Sequence, residues 1–210
     1  MKNFTMRFLL LFSLAVGVSS CNKETNTNEE QDVAELSVAE KEMIDYMIEE
    51  EKLAYDVYVT LYNTHQLAIF SNISNSELSH MEAVRLLMEK YNVPNTASTT
   101  IGVFNNEHLQ ELYDALVAQG SQSVTDALTV GATIEDVDIY DLDAYLEETI
   151  NPDIISVFDF LNCGSRNHLR GFVQQLSALE VSYVPQYITQ DYFDQIIQSG
   201  HEICTSYTIN

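Results

Sequence analysis

The chain has 210 residues, with 9 Lys and Arg against 32 Asp and Glu, so its formal net charge is −23. Such a balance argues against a nucleic-acid partner, because little is present to neutralise phosphates. It favours solubility and mutual repulsion, and a negative field would also gather cations near a metal site.

In chain order, residues 1–20 read as a signal peptide. Lys2 and Arg7 precede the apolar run 8–16, which is too short for a comfortable membrane span, and small residues follow. Val18-Ser19-Ser20-Cys21 is similar to the lipobox of bacterial lipoproteins. That resemblance implies an acylated Cys21, a membrane partner reached through the lipid, and a domain at the bacterial cell envelope, in the periplasm or at the cell surface. The alternative is ordinary cleavage nearby, which leaves Cys21 a free thiol. Residues 21–37 are polar and acidic without an apolar period, as in a flexible tether. The remainder is long enough for one domain, expected over 38–200, followed by a tail over 201–210. Cys163 and Cys204 either pair or stay free, and no CxxC supports a zinc ribbon.

Helical periodicity dominates the domain. Ser37-Val38-Ala39-Glu40 is a capping box that opens the first helix, whose stripe is Ile44, Met47, Ala54, Tyr58 and Leu61. Glu51 fills the gap in that stripe, with Glu49 and Glu50 as neighbours able to replace it. A second helix is expected over about 70–92, ending before Pro94, with the stripe Phe70, Ile73, Glu77, His80, Val84, Leu87 and Tyr91. Glu77 and His80 are three apart, so both lie on one face in phase with apolar neighbours. A Thr- and Asn-rich connection then carries a short helix around Leu109, Leu112 and Leu116, ending at Gly120. The third long helix, about 124–148, has Leu128, Ala132, Glu135, Ile139, Leu142 and Leu146 in phase, with Asp138 one turn beyond Glu135. Gly131 inside it costs up to about 1 kcal/mol relative to Ala, tolerable where backbones cross closely. Asn151-Pro152 opens the fourth, with Ile154, Val157, Leu161, Ser165, His168, Phe172, Leu176 and Leu179 in phase. A last short helix is expected near 190–198. The fold class is therefore all-α.

Charged groups on apolar stripes are costly to bury. One set per helix (Glu51; Glu77 and His80; Glu135; His168) points to a shared metal ion that offsets the cost, with Glu50 and Asp138 as further candidates. Carboxylates from separate helices with imidazoles are the usual donors for paired iron or manganese ions. Tyr58 reads as a packing residue. Asn167 and Arg170 flank His168 and either orient a ligand or serve the surface.

These blocks resemble a known superfamily. Glu51, Ala54 and Tyr58 match the spacing of the first metal-helix motif of ferritins, and Glu77-Leu78-Ser79-His80 is similar to the ExxH of ferritins and rubrerythrins. Four blocks in order (49–54, 76–81, 130–135 and 164–170) more closely resemble one uncharacterised ferritin-like family of bacteria and archaea, over about 39–197. The resemblance implies a ferritin-like four-helix bundle with a long connection carrying a short helix, and a short C-terminal helix. It also implies a di-iron-type or manganese centre able to oxidise iron or handle oxygen or peroxide, with Tyr58 near the metal. One departure stands out: a complete di-iron member has a second ExxH on the last bundle helix, and here Ser165 occupies its Glu position. The competing function is a non-catalytic, lipid-anchored module that binds a metal or a partner.

Overall fold

The computed structural model describes residues 35–204 and 206–209. The expected signal segment, Cys21 and most of the tether lie outside the described residues. Six helices and no strand form among the described residues: α1 Val38–His65, α2 Ala68–Lys90, α3 Glu107–Gly120, α4 Val124–Glu148, α5 Pro152–Ala178 and α6 Gln190–Gln198. None of them is long and apolar enough to cross a membrane.

Local chemistry sets the helix starts. Ser37 accepts from the Glu40 amide while Glu40 reaches back to Ser37, the reciprocal box expected from sequence. Asn106, Ser123, Asn151 and Thr189 cap α3, α4, α5 and α6 with side-chain oxygens. Helix α2 begins two residues before the expected Phe70, because its cap is Leu67 and no side chain marks the start. It ends at Lys90 rather than Asn92, which takes a left-handed φ of 53°.

The four long helices lie side by side, α1 on α2 and α4 on α5, with α2 against α5 and α1 against α4. Their facing stripes make two apolar clusters. One joins Ile44 and Met47 to Val84, Leu87, Leu142, Val157 and Leu161. The other joins Ala54, Tyr58 and Leu61 to Phe70, Ile73, Leu128, Phe172 and Leu176. Early α1 meets late α2, and late α4 meets early α5, so each pair runs antiparallel. Between the clusters, every long helix contributes polar residues instead of apolar ones. Burial of the clusters stabilises the fold by roughly 25 cal/mol per Å² of apolar surface, and the polar layer between them has no such term.

Helix α3 packs across α1 and α4 and buries Leu109 and Leu116 there. The long connection before it is pinned by α1. Glu49 accepts from the Asn105 and Asn106 amides at 3.2 and 3.0 Å, and Asp56 accepts from the Gly102 amide at 2.8 Å. Lys52 pairs with Asp56, donates to the Thr100 carbonyl and lies over the Phe104 ring. On α4, Asp136 plays the same part for the segment before α6, accepting from the Tyr183 hydroxyl and the Gln186, Tyr187 and Ile188 amides. A Cys163–Cys204 disulfide ties the C-terminal segment to α5, which settles the pairing that sequence leaves open. The Gly131 position is filled by a ring and not by a neighbouring backbone. A Cβ there would stand 2.3 Å from the Phe172 ring.

Candidate metal centre

Glu51, Glu77, His80, Glu135 and His168 are all buried and meet in the polar layer between the two clusters. One ligand atom each from Glu51, Glu77 and His80 lies within 4.8 Å of the others, and the same holds for Glu77, Glu135 and His168. Glu77 belongs to both groups. Its Oε2 stands 2.9 Å from His80 Nδ1 and its Oε1 stands 3.0 Å from His168 Nδ1. The remaining carboxylates flank it: Glu51 Oε2 is 3.1 Å from His80 Nδ1, and Glu135 Oε2 is 3.3 Å from His168 Nδ1.

Both imidazoles present Nδ1 to the carboxylates, and their other edges explain why. His168 Nε2 is 3.0 Å from Ser76 Oγ, one residue before Glu77. The Nε2 edge of His80 lies against Gly164, where a Cβ would come within 2.4 Å. The two rings stack with centroids 5.5 Å apart. Tyr58, buried against Phe70 and Phe172, donates its hydroxyl to Glu135 Oε1. Ser165 turns its hydroxyl back to the Leu161 carbonyl at 3.2 Å, so it does not replace the missing carboxylate.

Several oxygens find no hydrogen bond: Glu51 Oε1, Glu77 Oε1, Glu135 Oε2, Glu50 Oε2 and Asp138 Oδ2, together with His168 Nδ1. Buried polar atoms are ordinarily satisfied, and an unpaired one costs about 1–3 kcal/mol. Atoms 3.0–3.3 Å apart that do not align as donor and acceptor are oriented as ligands around a common ion would be. The donor set, carboxylate oxygen with imidazole nitrogen, suits iron, manganese or zinc. The residues present therefore fit a metal.

Without an ion, the acids and imidazoles shift one another's titration. Burial alone would lower the His168 pKa, yet Glu77 and Glu135 outweigh it and pull it up to about 10. His80 is likewise raised, against burial, by Glu51 and Glu77. Burial opposes ionisation of Glu77, but the two imidazoles hold it below its usual range. Burial lifts Glu51 to about 7 in spite of His80, and raises Glu135 in spite of His168. Asp138 is raised well above the carboxylate range by burial and by Glu50 and Glu135. Burial and Asp141 do the same to Glu50.

The neighbours resolve differently from one another. Glu49 is committed to the loop amides and stands outside the centre. Glu50 and Asp138 are buried beside it. Asn167 and Arg170 do not touch the ligands. Asn167 donates to the Glu202 carbonyl at 3.1 Å, and Arg170 binds the Ile196 carbonyl at 2.8 Å and the Glu202 carboxylate. Sequence reasoning passed over Ser76 and Gly164. Their signals were a hydroxyl directly before the ExxH and a glycine one turn before His168.

Residues 40–200 match the family described as an uncharacterized protein domain, DUF2202. The chain is 51% identical over 168 residues to the uncharacterized protein MJ0754 of Methanocaldococcus jannaschii, covering 80% of this chain and 91% of that one. The crystal structure of that hypothetical protein is similar to this fold with a TM-score of 0.79 at 50% identity, over 80% of this chain and 97% of that chain. An archaeal relative this similar overturns the bacterial envelope location expected from the N-terminal segment. That expectation rested on a bacterial lipobox pattern within residues that lie outside the described ones.

Proposed function

We propose a function for this protein from its buried centre, since the chain belongs to the DUF2202 family and that description names a domain without an activity. The protein is a ferritin-like four-helix bundle whose Glu51, Glu77, His80, Glu135 and His168 hold a pair of iron or manganese ions. One observation carries this reading: Glu77 turns one carboxylate oxygen toward each of two Glu-His groups, with no Lys or Arg among the five. A carboxylate so placed would be shared by both groups when metal is bound. Glu51 with His80 would hold one ion, and Glu135 with His168 the other.

When bound, such ions supply redox chemistry toward dioxygen or peroxide. The chain's own residues supply the setting. Glu51, Glu77 and Glu135 neutralise cation charge, and the imidazoles add donors without adding charge. Ser76 fixes the His168 ring, as outer-shell partners do for metal-bound histidine. The Tyr58 hydroxyl holds Glu135 in one rotamer. The two apolar clusters exclude bulk water from either side. A second reading, metal binding without turnover, is favoured by Ser165, whose inward hydroxyl is spent on the Leu161 carbonyl.

Dioxygen or peroxide consumption after anaerobic loading with Fe²⁺ separates the two. Oxidation expects consumption that scales with bound iron and is lost in Glu77→Gln. Bound iron that consumes neither oxidant assigns the protein to the second reading.

A further inference from the structure

Next to the centre lies a small cavity of about 10 Å³ between α1, α3 and α4. Its wall includes Leu53, Leu109, Leu116 and Ile134, and two acids, Glu50 and Asp138. Both acids are more than nine-tenths buried, and each keeps an oxygen, Glu50 Oε2 and Asp138 Oδ2, without a hydrogen bond. Among the described residues, no Lys, Arg or His lines the cavity. That is about the smallest space that holds one water, and it suffices for a single bare cation.

Charge makes the pair difficult to explain as packing. The polar layer already holds Glu51, Glu77 and Glu135 with two imidazoles. Two more acids beside them must either stay protonated or add like charge in a low-dielectric interior, where unpaired buried charge is strongly unfavourable. Thr133 and Tyr187 also line the space and Asp141 neighbours Glu50, yet Glu50 Oε2 and Asp138 Oδ2 bond to none of them. Their spacing follows that of the centre. Glu50 precedes Glu51 on α1, and Asp138 follows Glu135 by one turn of α4, so the same two helices serve both places.

We infer that Glu50 and Asp138 form an accessory position for one divalent cation, separate from the centre and roofed by α3. The inference rests on the reading of the neighbouring centre as a cation site. Helix α3 closes this position through Leu109 and Leu116 and contributes no ligand from the cavity wall.

The full chain, stripped of metal, is titrated with Mn²⁺ while free Mn²⁺ is followed by electron paramagnetic resonance. Wild type should bind one more Mn²⁺ per chain than Glu50→Gln/Asp138→Asn, whose ions at the centre remain. Glu77→Gln should lose the ions of the centre and keep the accessory one. Equal binding by wild type and the double variant overturns this inference alone. Loss of every ion from a folded double variant also overturns it, by making the pair ligands of the centre itself. No binding by wild type defeats the centre and the accessory position together. Circular dichroism checks the fold. If the double variant does not fold, Asp138→Asn takes its place, with the extra ion expected to bind at least tenfold more weakly and unchanged affinity counting against the inference.

Discussion

At the scale of single residues, the candidate centre is shaped by groups outside its five side chains. Gly164 is the clearest case, because its missing Cβ is the space that the His80 ring fills. Alanine there would gain up to about 1 kcal/mol of helix propensity, while overpacking a tight interior costs about 1–3 kcal/mol. The clash should win. Gly164→Ala is expected to lower the melting temperature and weaken Mn²⁺ binding at least tenfold, read by thermal melts and titration. A higher melting temperature with unchanged binding would remove the His80–Gly164 contact from the account. The buried cluster itself was legible in the sequence, since Glu51, Glu77, His80, Glu135 and His168 each break an apolar stripe in phase and the fold brings them together. What was less legible is how the three consecutive acids, all buried, divide their partners. Glu49 and Glu51 differ by two residues on a helix, and only the position of the loop amides at 105 and 106 gives Glu49 its other employment. The role of Ser76 was hidden for the same reason, because its partner lies on a different helix, 92 residues away.

At the scale of elements, buried acids divide into those that satisfy backbone and those left without donors. Glu49, Asp56 and Asp136 accept from amides of irregular segments and so fix the long connection and the segment before α6. Capping signals and periodicity exposed the helices well, and the spans of α4 and α6 follow the sequence pattern closely. The C-terminal segment was less legible. It carries no helical period, and its attachment depends on groups far apart in the chain. Glu202 receives Arg166 and Arg170, Asn167 holds the Glu202 backbone, and Cys204 is bonded to Cys163. Hydrogen bonding from Arg166, with Arg170 behind it, lowers the Glu202 pKa to about 2 from an ordinary 4.5. A depressed carboxylate favours the folded state above its unfolded value. The clamp's contribution is therefore complete above about pH 4.5 and fades as pH falls toward about 2. Denaturation curves of wild type and Glu202→Gln should converge across that window and separate above it. Curves that keep a constant gap at all pH values would mean that the carboxylate charge contributes nothing.

At the scale of the whole molecule, the fold consists of two apolar clusters separated by a sheet of acids and imidazoles contributed by all four long helices. Hydrocarbon in that layer would give a simpler and more stable core, since replacing buried ion groups by apolar residues is often stabilising. The retained acids make sense when an ion completes the layer and contributes its binding energy to the folded state. The most direct measurement is the metal content of the full chain after loading with Fe²⁺, Mn²⁺ or Zn²⁺ and removal of free ion, compared with Glu77→Gln. Wild type should retain metal stoichiometrically and melt at a higher temperature when loaded, whereas the variant should lose the ions of the centre and the gain that they bring. A wild-type chain that holds only traces of all three ions, or a Glu77→Gln chain that holds as much as wild type, would contradict the account.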